Sequence, residues 1–117
     1  MIGNKVAAAF NEQMNRELYS SYLYLSMAAY FHSADLGGFA GWMRVQAKEE
    51  DLHAMKFFEH LRDRGARIAL EQIDKPKGVW KSPLEAFRAA YEHERFITSK
   101  INGLYRLAEK ESDYAAK

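Results

Sequence analysis

Glu50 and His53 lie one helical turn apart in the stretch Gln46-Ala47-Lys48-Glu49-Glu50-Asp51-Leu52-His53-Ala54-Met55-Lys56-Phe57. At helical spacing they share a side with Phe39, Met43, Phe57 and Leu61, so a carboxylate and an imidazole interrupt an otherwise apolar stripe. A lone ionised Glu in such a stripe costs several kcal/mol, on the order of the buried-ion penalty, or stays protonated unless a positive group faces it. Inward Glu-x-x-His is the spacing with which helical bundles hold iron or manganese in their cores. Two more acids interrupt apolar faces in the same way. Glu17 falls among Val6, Phe10, Met14, Ser21, Tyr24, Ala28 and Phe31, and Glu94 among Leu84, Phe87, Tyr91, Ile97, Ile101, Leu104 and Ala108.

Taken singly, an inward Glu most often meets an Arg or is less buried than the helical wheel implies, and a lone core His is most often hydrogen-bonded. Here no inward Lys or Arg stands at the matching levels, so three acids converge without a cation from the chain and a divalent metal supplies the charge. Carboxylate with imidazole suits iron, manganese or zinc, and Glu50 is placed to bridge two ions. Tyr24, seven residues beyond Glu17 on the same face, is able to reach a neighbouring carboxylate with its hydroxyl. Glu49 borders the stripe and by spacing alone reads as solvated. His32, His60 and His93 fall off the central face and read as surface residues.

Positioning these groups takes three long helices, expected at about residues 5–32, 38–64 and 83–110 of a single domain spanning 1–117. The first spans roughly 40 Å at 1.5 Å per residue. Asp35, a candidate cap, and Gly37-Gly38 mark a short turn, so the second helix returns antiparallel and ends at Gly65, a candidate left-handed terminator. Counted from that turn, Glu17 and Glu50 differ by about three residues, or roughly 4.5 Å of rise, which leaves them nearly level. Residues 66–81 contain Pro76-Lys77-Gly78 and carry no clear period. A connection of that length crosses from one end of a bundle to the other and makes the third helix parallel to the second. Ile68, Leu70, Ile73, Val79 and Trp80 are expected to pin it. Ser82-Pro83-Leu84-Glu85 reads as a capping box with Pro in the first helical position, and Asp113 as the cap of a further helix.

Composition narrows the function class. With 17 basic and 16 acidic residues interspersed there is no basic arm, so no nucleic-acid partner is expected. The absence of cysteine excludes disulfides, thiolate zinc sites and cysteine nucleophiles. No uncharged run approaches the roughly 20 residues of a bilayer span, and the first residues lack the plan of a secretory signal, so no membrane partner and a cytoplasmic location are expected.

Three stretches carry a resemblance: Asn11-Glu12-Gln13-Met14-Asn15-Arg16-Glu17-Leu18-Tyr19-Ser20-Ser21-Tyr22-Leu23-Tyr24, Glu49-Glu50-Asp51-Leu52-His53-Ala54-Met55-Lys56 and Tyr91-Glu92-His93-Glu94. In order and spacing the whole chain, loop included, resembles the prokaryotic non-haem ferritins. The resemblance implies an all-α, ferritin-like bundle with one long crossover and a ferroxidase site that oxidises ferrous iron with oxygen or peroxide for storage. Glu17, Glu50 and His53 match the family's ligands for the first iron, the bridging Glu50 and Glu94 those for the second, and Glu49 a ligand of the third position. Tyr24 matches the tyrosine beside the di-iron centre. Asp51 stands where a bacterioferritin carries its haem-ligating Met, so haem is not expected. Family members continue into a fourth long helix, so the expectation is a fragment or a short form whose groove another chain covers, with the site completed in a homo-oligomer. The competing reading is a non-catalytic helical assembly or metal-binding module whose residual half-site takes zinc or nothing. A DNA-protecting relative is disfavoured, since no basic tail is present and the ligands lie within one chain's helices.

Overall fold

Residues 4–33 contain neither Pro nor Gly, and their apolar positions recur every three or four residues, the condition for one unbroken amphipathic helix. In the computed structural model, which describes residues 2–116, they form α1 (Asn4–Ser33), followed by α2 (Gly37–Asp63) and α3 (Pro83–Lys110); the protein is all-α, with no strand among the described residues. The molecule is a rod of 50 × 21 × 21 Å, its length set by α1.

All three helices stop by one device. After α1 the Leu36 N–H donates to the Phe31 carbonyl at 2.8 Å and the Asp35 N–H to that of His32 at 3.1 Å. The same paired bonds follow α2, from Ala66 to Leu61 and Gly65 to Arg62, and α3, from Asp113 to Ala108 and Ser112 to Glu109. This double closure needs a left-handed residue between the two donors, and Asp35, Gly65 and Ser112 supply φ of 60°, 70° and 55°. Asp35 therefore terminates α1 and does not cap α2, whose N-cap is Leu36 without a side-chain bond. Ser82 Oγ accepts from the Glu85 N–H at 3.2 Å as expected, but the Glu85 carboxylate turns outward to Arg88 at 3.0 Å, so only half of the capping box forms.

Helix α1 is the central element. Both other helices pack their backbones against it, whereas α2 and α3 do not approach closely and meet through side chains, Phe39 and Trp42 against Phe87. The Arg64–Asp113 ion pair at 2.8 Å ties the end of α2 to the end of α3, and Lys5–Glu111 at 3.9 Å ties that same end to the start of α1. Helices α2 and α3 thus run parallel to each other and antiparallel to α1. Asp113 also accepts from the Ala116 N–H at 3.1 Å, the bond of a capping residue, over residues 113–116.

The crossover is held differently from expectation. Ile68 packs against the lower apolar cluster and Trp80 is buried beside Tyr30, but Leu70, Ile73 and Val79 are exposed. Two amides of α1 replace them. Asn11 accepts from the Ala69 N–H at 2.8 Å and donates to the Arg67 carbonyl at 2.9 Å, and Asn15 does the same for Glu71 and Ala69, both at 2.9 Å. Residues 67–71, too few apolar to bury themselves, are thus paired as if to a neighbouring strand.

On α3 the expected inward stripe is displaced. Ala86, Ala90, Ile97 and Ala108 are buried against α1, while Leu84, Tyr91 and Ile101 stay exposed, because the α2 side of α3 has no backbone packed on it among the described residues. Phe39, expected inward on α2, is likewise half exposed.

Candidate metal centre

Two apolar clusters fill the rod, one around Tyr24, Met27, Phe31, Met43 and Trp80, the other around Val6, Phe10 and Leu61. Between them lies a polar level, to which Gln13, Glu17, Ser20 and Glu50 contribute buried side chains. Helix α1 sets Glu17 there, and the antiparallel return of α2 sets Glu50 and His53 opposite it. Glu17 is fully buried, Glu50 nearly so, and His53 keeps 48% of its side chain exposed.

Ligand atoms of Glu17, Glu50 and His53 all lie within 4.8 Å of one another. His53 Nδ1 stands 3.5 Å from Glu50 Oε2 and 3.8 Å from Glu17 Oε2, too far for hydrogen bonds. Two donors about 2.1 Å from one ion and roughly 90–110° apart are about 3.0–3.4 Å from each other, so the two sides of the triangle that meet at His53 need to close by only about half an ångström. Among the described residues Glu17 Oε2 is the one buried side-chain oxygen or nitrogen with no hydrogen-bond partner beyond the facing Glu50 carboxyl, which is a donor only while it keeps its proton. An unpartnered carboxylate oxygen at zero exposure is costly, and a divalent cation at that point removes the cost. The donor set, two carboxylates and an imidazole, fits iron, manganese or zinc.

No Lys or Arg pairs with Glu17, Glu50 or Glu94 among the described residues. Burial, the facing Glu17 carboxyl, and the charges of Glu94 and Glu49 push the Glu50 carboxyl up to about 9. Tyr24, buried in the adjoining cluster, donates its hydroxyl to Glu94 Oε1. Burial, that bond and the surrounding acids raise the Tyr24 phenol well above its ordinary range.

Glu94 does not enter the converging triad; it lies on the exposed side of α3, linked to the centre through Tyr24. Glu49 is exposed on α2 and acts on Glu50 through its charge.

His93, read from the sequence as a surface residue, is half buried. Its Nε2 is 2.7 Å from Ser20 Oγ, and its ring lies against Tyr19 and Tyr24 at 5.9 Å. Ser20 spends its single proton on the Arg16 carbonyl at 2.9 Å when His93 Nε2 carries hydrogen. Burial holds the His93 imidazole below its ordinary value, against the opposing charges of Glu94 and Glu17. His60 is also partly buried, its ring 4.8 Å from Phe10, while His32 is exposed.

Sequence reasoning passed over Gln13, which is fully buried and donates from Nε2 to Glu17 Oε1 at 2.9 Å. Its signal was an amide one turn before an inward acid, between Phe10 and Met14 of the buried face.

The ferritin-like domain family model matches residues 7–117. The bacterial non-heme ferritin of Bacteroides fragilis is 38% identical over 117 residues, which cover all of this chain and 74% of that one. Among solved structures, an open pore ferritin from the archaeon Archaeoglobus fulgidus superposes with a TM-score of 0.97 at 48% identity, over 99% of this chain and 72% of that one. The Chlorobium tepidum ferritin superposes with a TM-score of 0.95 at 36% identity, over 98% and 71%.

Proposed function

Because the chain belongs to the ferritin family, we propose that it binds ferrous iron at the Glu17–Glu50–His53 centre, oxidises it and passes it to storage. The observation that carries this reading is the unpartnered, fully buried Glu17 Oε2 facing Glu50 and His53. Iron is here the substrate and cargo, not a resident cofactor. Glu17 and His53 take one ferrous ion, Glu94 a second, and Glu50 bridges the two. Glu49 is a ligand of a third position toward the exposed side. Two ferrous ions give up two electrons, which with two protons convert one oxygen molecule to hydrogen peroxide, or one peroxide to two waters.

The chain's own groups manage charge and protons in that sequence. Glu50, protonated in the metal-free site, loses its proton as it takes up iron. Tyr24 holds Glu94 through its hydroxyl and is placed to tune the second position or donate an electron. Zinc fits the same donors and competes for them. The protein acts as a single ferritin-like domain within a homo-oligomer, in which a further helix or another chain completes the exposed Glu94 side. No helix among the described residues is long and apolar enough to cross a membrane.

The test is to add ferrous iron under air and follow ferric absorbance for the parent and for Glu50→Ala. Ferroxidation requires a parent rate well above that of Glu50→Ala. Equal rates, both matching buffer, favour the non-catalytic module.

A further inference from the structure

We propose that Gln13 is a positioning residue that makes Glu17 a one-oxygen ligand, and that Arg16 fixes the direction in which Gln13 acts. The inference rests on Glu17 being a metal ligand. Gln13 has zero exposure and two partners of opposite character: Nε2 donates to Glu17 Oε1 at 2.9 Å, and Oε1 accepts from Arg16 Nη1 at 3.1 Å. Arg16 is itself held by Glu12 Oε2 at 3.2 Å. Turning the amide over would set its carbonyl against the carboxylate and its NH2 against the guanidinium, replacing two attractive contacts with two repulsive ones. The Arg16 charge therefore selects which end of Gln13 meets Glu17.

The consequence falls on the carboxylate. Oε1 is occupied, and Oε2 is the oxygen left unpartnered on the side of His53 and Glu50. Chelation of one ion through both oxygens would set the ion and the Gln13 N–H in competition for the electron density of Oε1, so the relay from Glu12 through Arg16 and Gln13 favours a single metal bond from Glu17 and leaves a coordination position for a second ligand. Groups of this kind, bonded to a ligand rather than to the metal, typically govern 10–100-fold in affinity.

Cobalt(II) is the probe, since it takes ferrous-type sites, does not oxidise in air, and has visible bands that weaken as coordination number rises. Titrations of the parent, Gln13→Leu, Arg16→Met and Glu17→Ala report dissociation constants and the spectrum at saturation. The expected result is a 10–100-fold weaker Gln13→Leu with fainter bands at saturation, as the freed oxygen joins the metal. Arg16→Met should change both readouts in the same direction and by less. If Gln13→Leu does not fold, the partly exposed Arg16→Met decides the matter by the same two readouts. Parental affinity and spectrum in both variants, with binding lost in Glu17→Ala, overturns the role of Gln13 and leaves the metal site standing. Lost affinity with an unchanged spectrum reduces Gln13 to packing and overturns the proposal as well. Parental binding by Glu17→Ala overturns the site, and the relay with it.

Discussion

Burial and its acidic neighbours give Glu50 a pH signature. Its carboxyl is pushed up to about 9 in the fold against 4.5 in the unfolded chain, so the metal-free native state keeps a proton that the unfolded state releases. Stability contributed by that proton is present below about 4.5 and is lost as pH rises toward about 9. Denaturant melts of the metal-free protein should show an alkaline decline between those limits, and Glu50→Gln, which cannot ionise, should flatten it. Metal binding reverses the sign: uptake expels the proton, so affinity for a divalent cation should rise with pH across the same window. His93 acts at the other end. Its depressed imidazole contributes stability above its unfolded pKa of 6.5, and that stability is lost as pH falls through the lower folded value. The convergence of Glu17, Glu50 and His53 was legible in the sequence because helical period and a short turn fix both face and level. Gln13, Ser20 and His93 were not, since a polar residue beside an apolar stripe looks the same whether water or a buried acid receives it.

At the scale of the element, stability is stored in helix ends and in the strap formed by crossover residues 67–71 against Asn11 and Asn15. Asp35 and Ser112 occupy left-handed positions that cost a non-glycine residue about 1 kcal/mol, so Asp35→Gly and Ser112→Gly should each raise the melting temperature by a few degrees. Gly65→Ala imposes the same strain at φ 70° and should lower stability by about 1 kcal/mol. Asn11→Ala and Asn15→Ala each remove two bonds to the strap. Each should cost about 1–2 kcal/mol and speed amide exchange at Ala69 or Glu71, leaving exchange in mid-α1 unaffected. Helix existence and the glycine terminator could be read directly from periodicity and residue type. The strap could not, because Asn11 and Asn15 bond to backbone groups more than fifty residues away, and apolar residues such as Leu70 and Val79 gave the only local cue. The inward face of α3 was misjudged for a related reason: period gives a stripe, but which edge of it is buried depends on the neighbour, and α1 alone supplies one here.

The whole molecule is a rod with one side of α2 and α3 uncovered among the described residues. Trp42 on α2 and Tyr91 and Ile101 on α3 are 51%, 63% and 42% exposed. Large apolar side chains left exposed on both helices favour burial against another copy, so sedimentation velocity at micromolar concentration should find assemblies rather than a 13.5 kDa monomer. No Lys or Arg pairs with the acids at the centre among the described residues, and under the proposed function iron balances them. An anaerobic calorimetric titration with ferrous iron, run on the parent and on Glu50→Ala at neutral pH, addresses that balance most directly. Saturable binding with proton release in the parent, abolished in Glu50→Ala, is the predicted result; no heat above buffer in the parent, or an isotherm indifferent to the loss of Glu50, would contradict it.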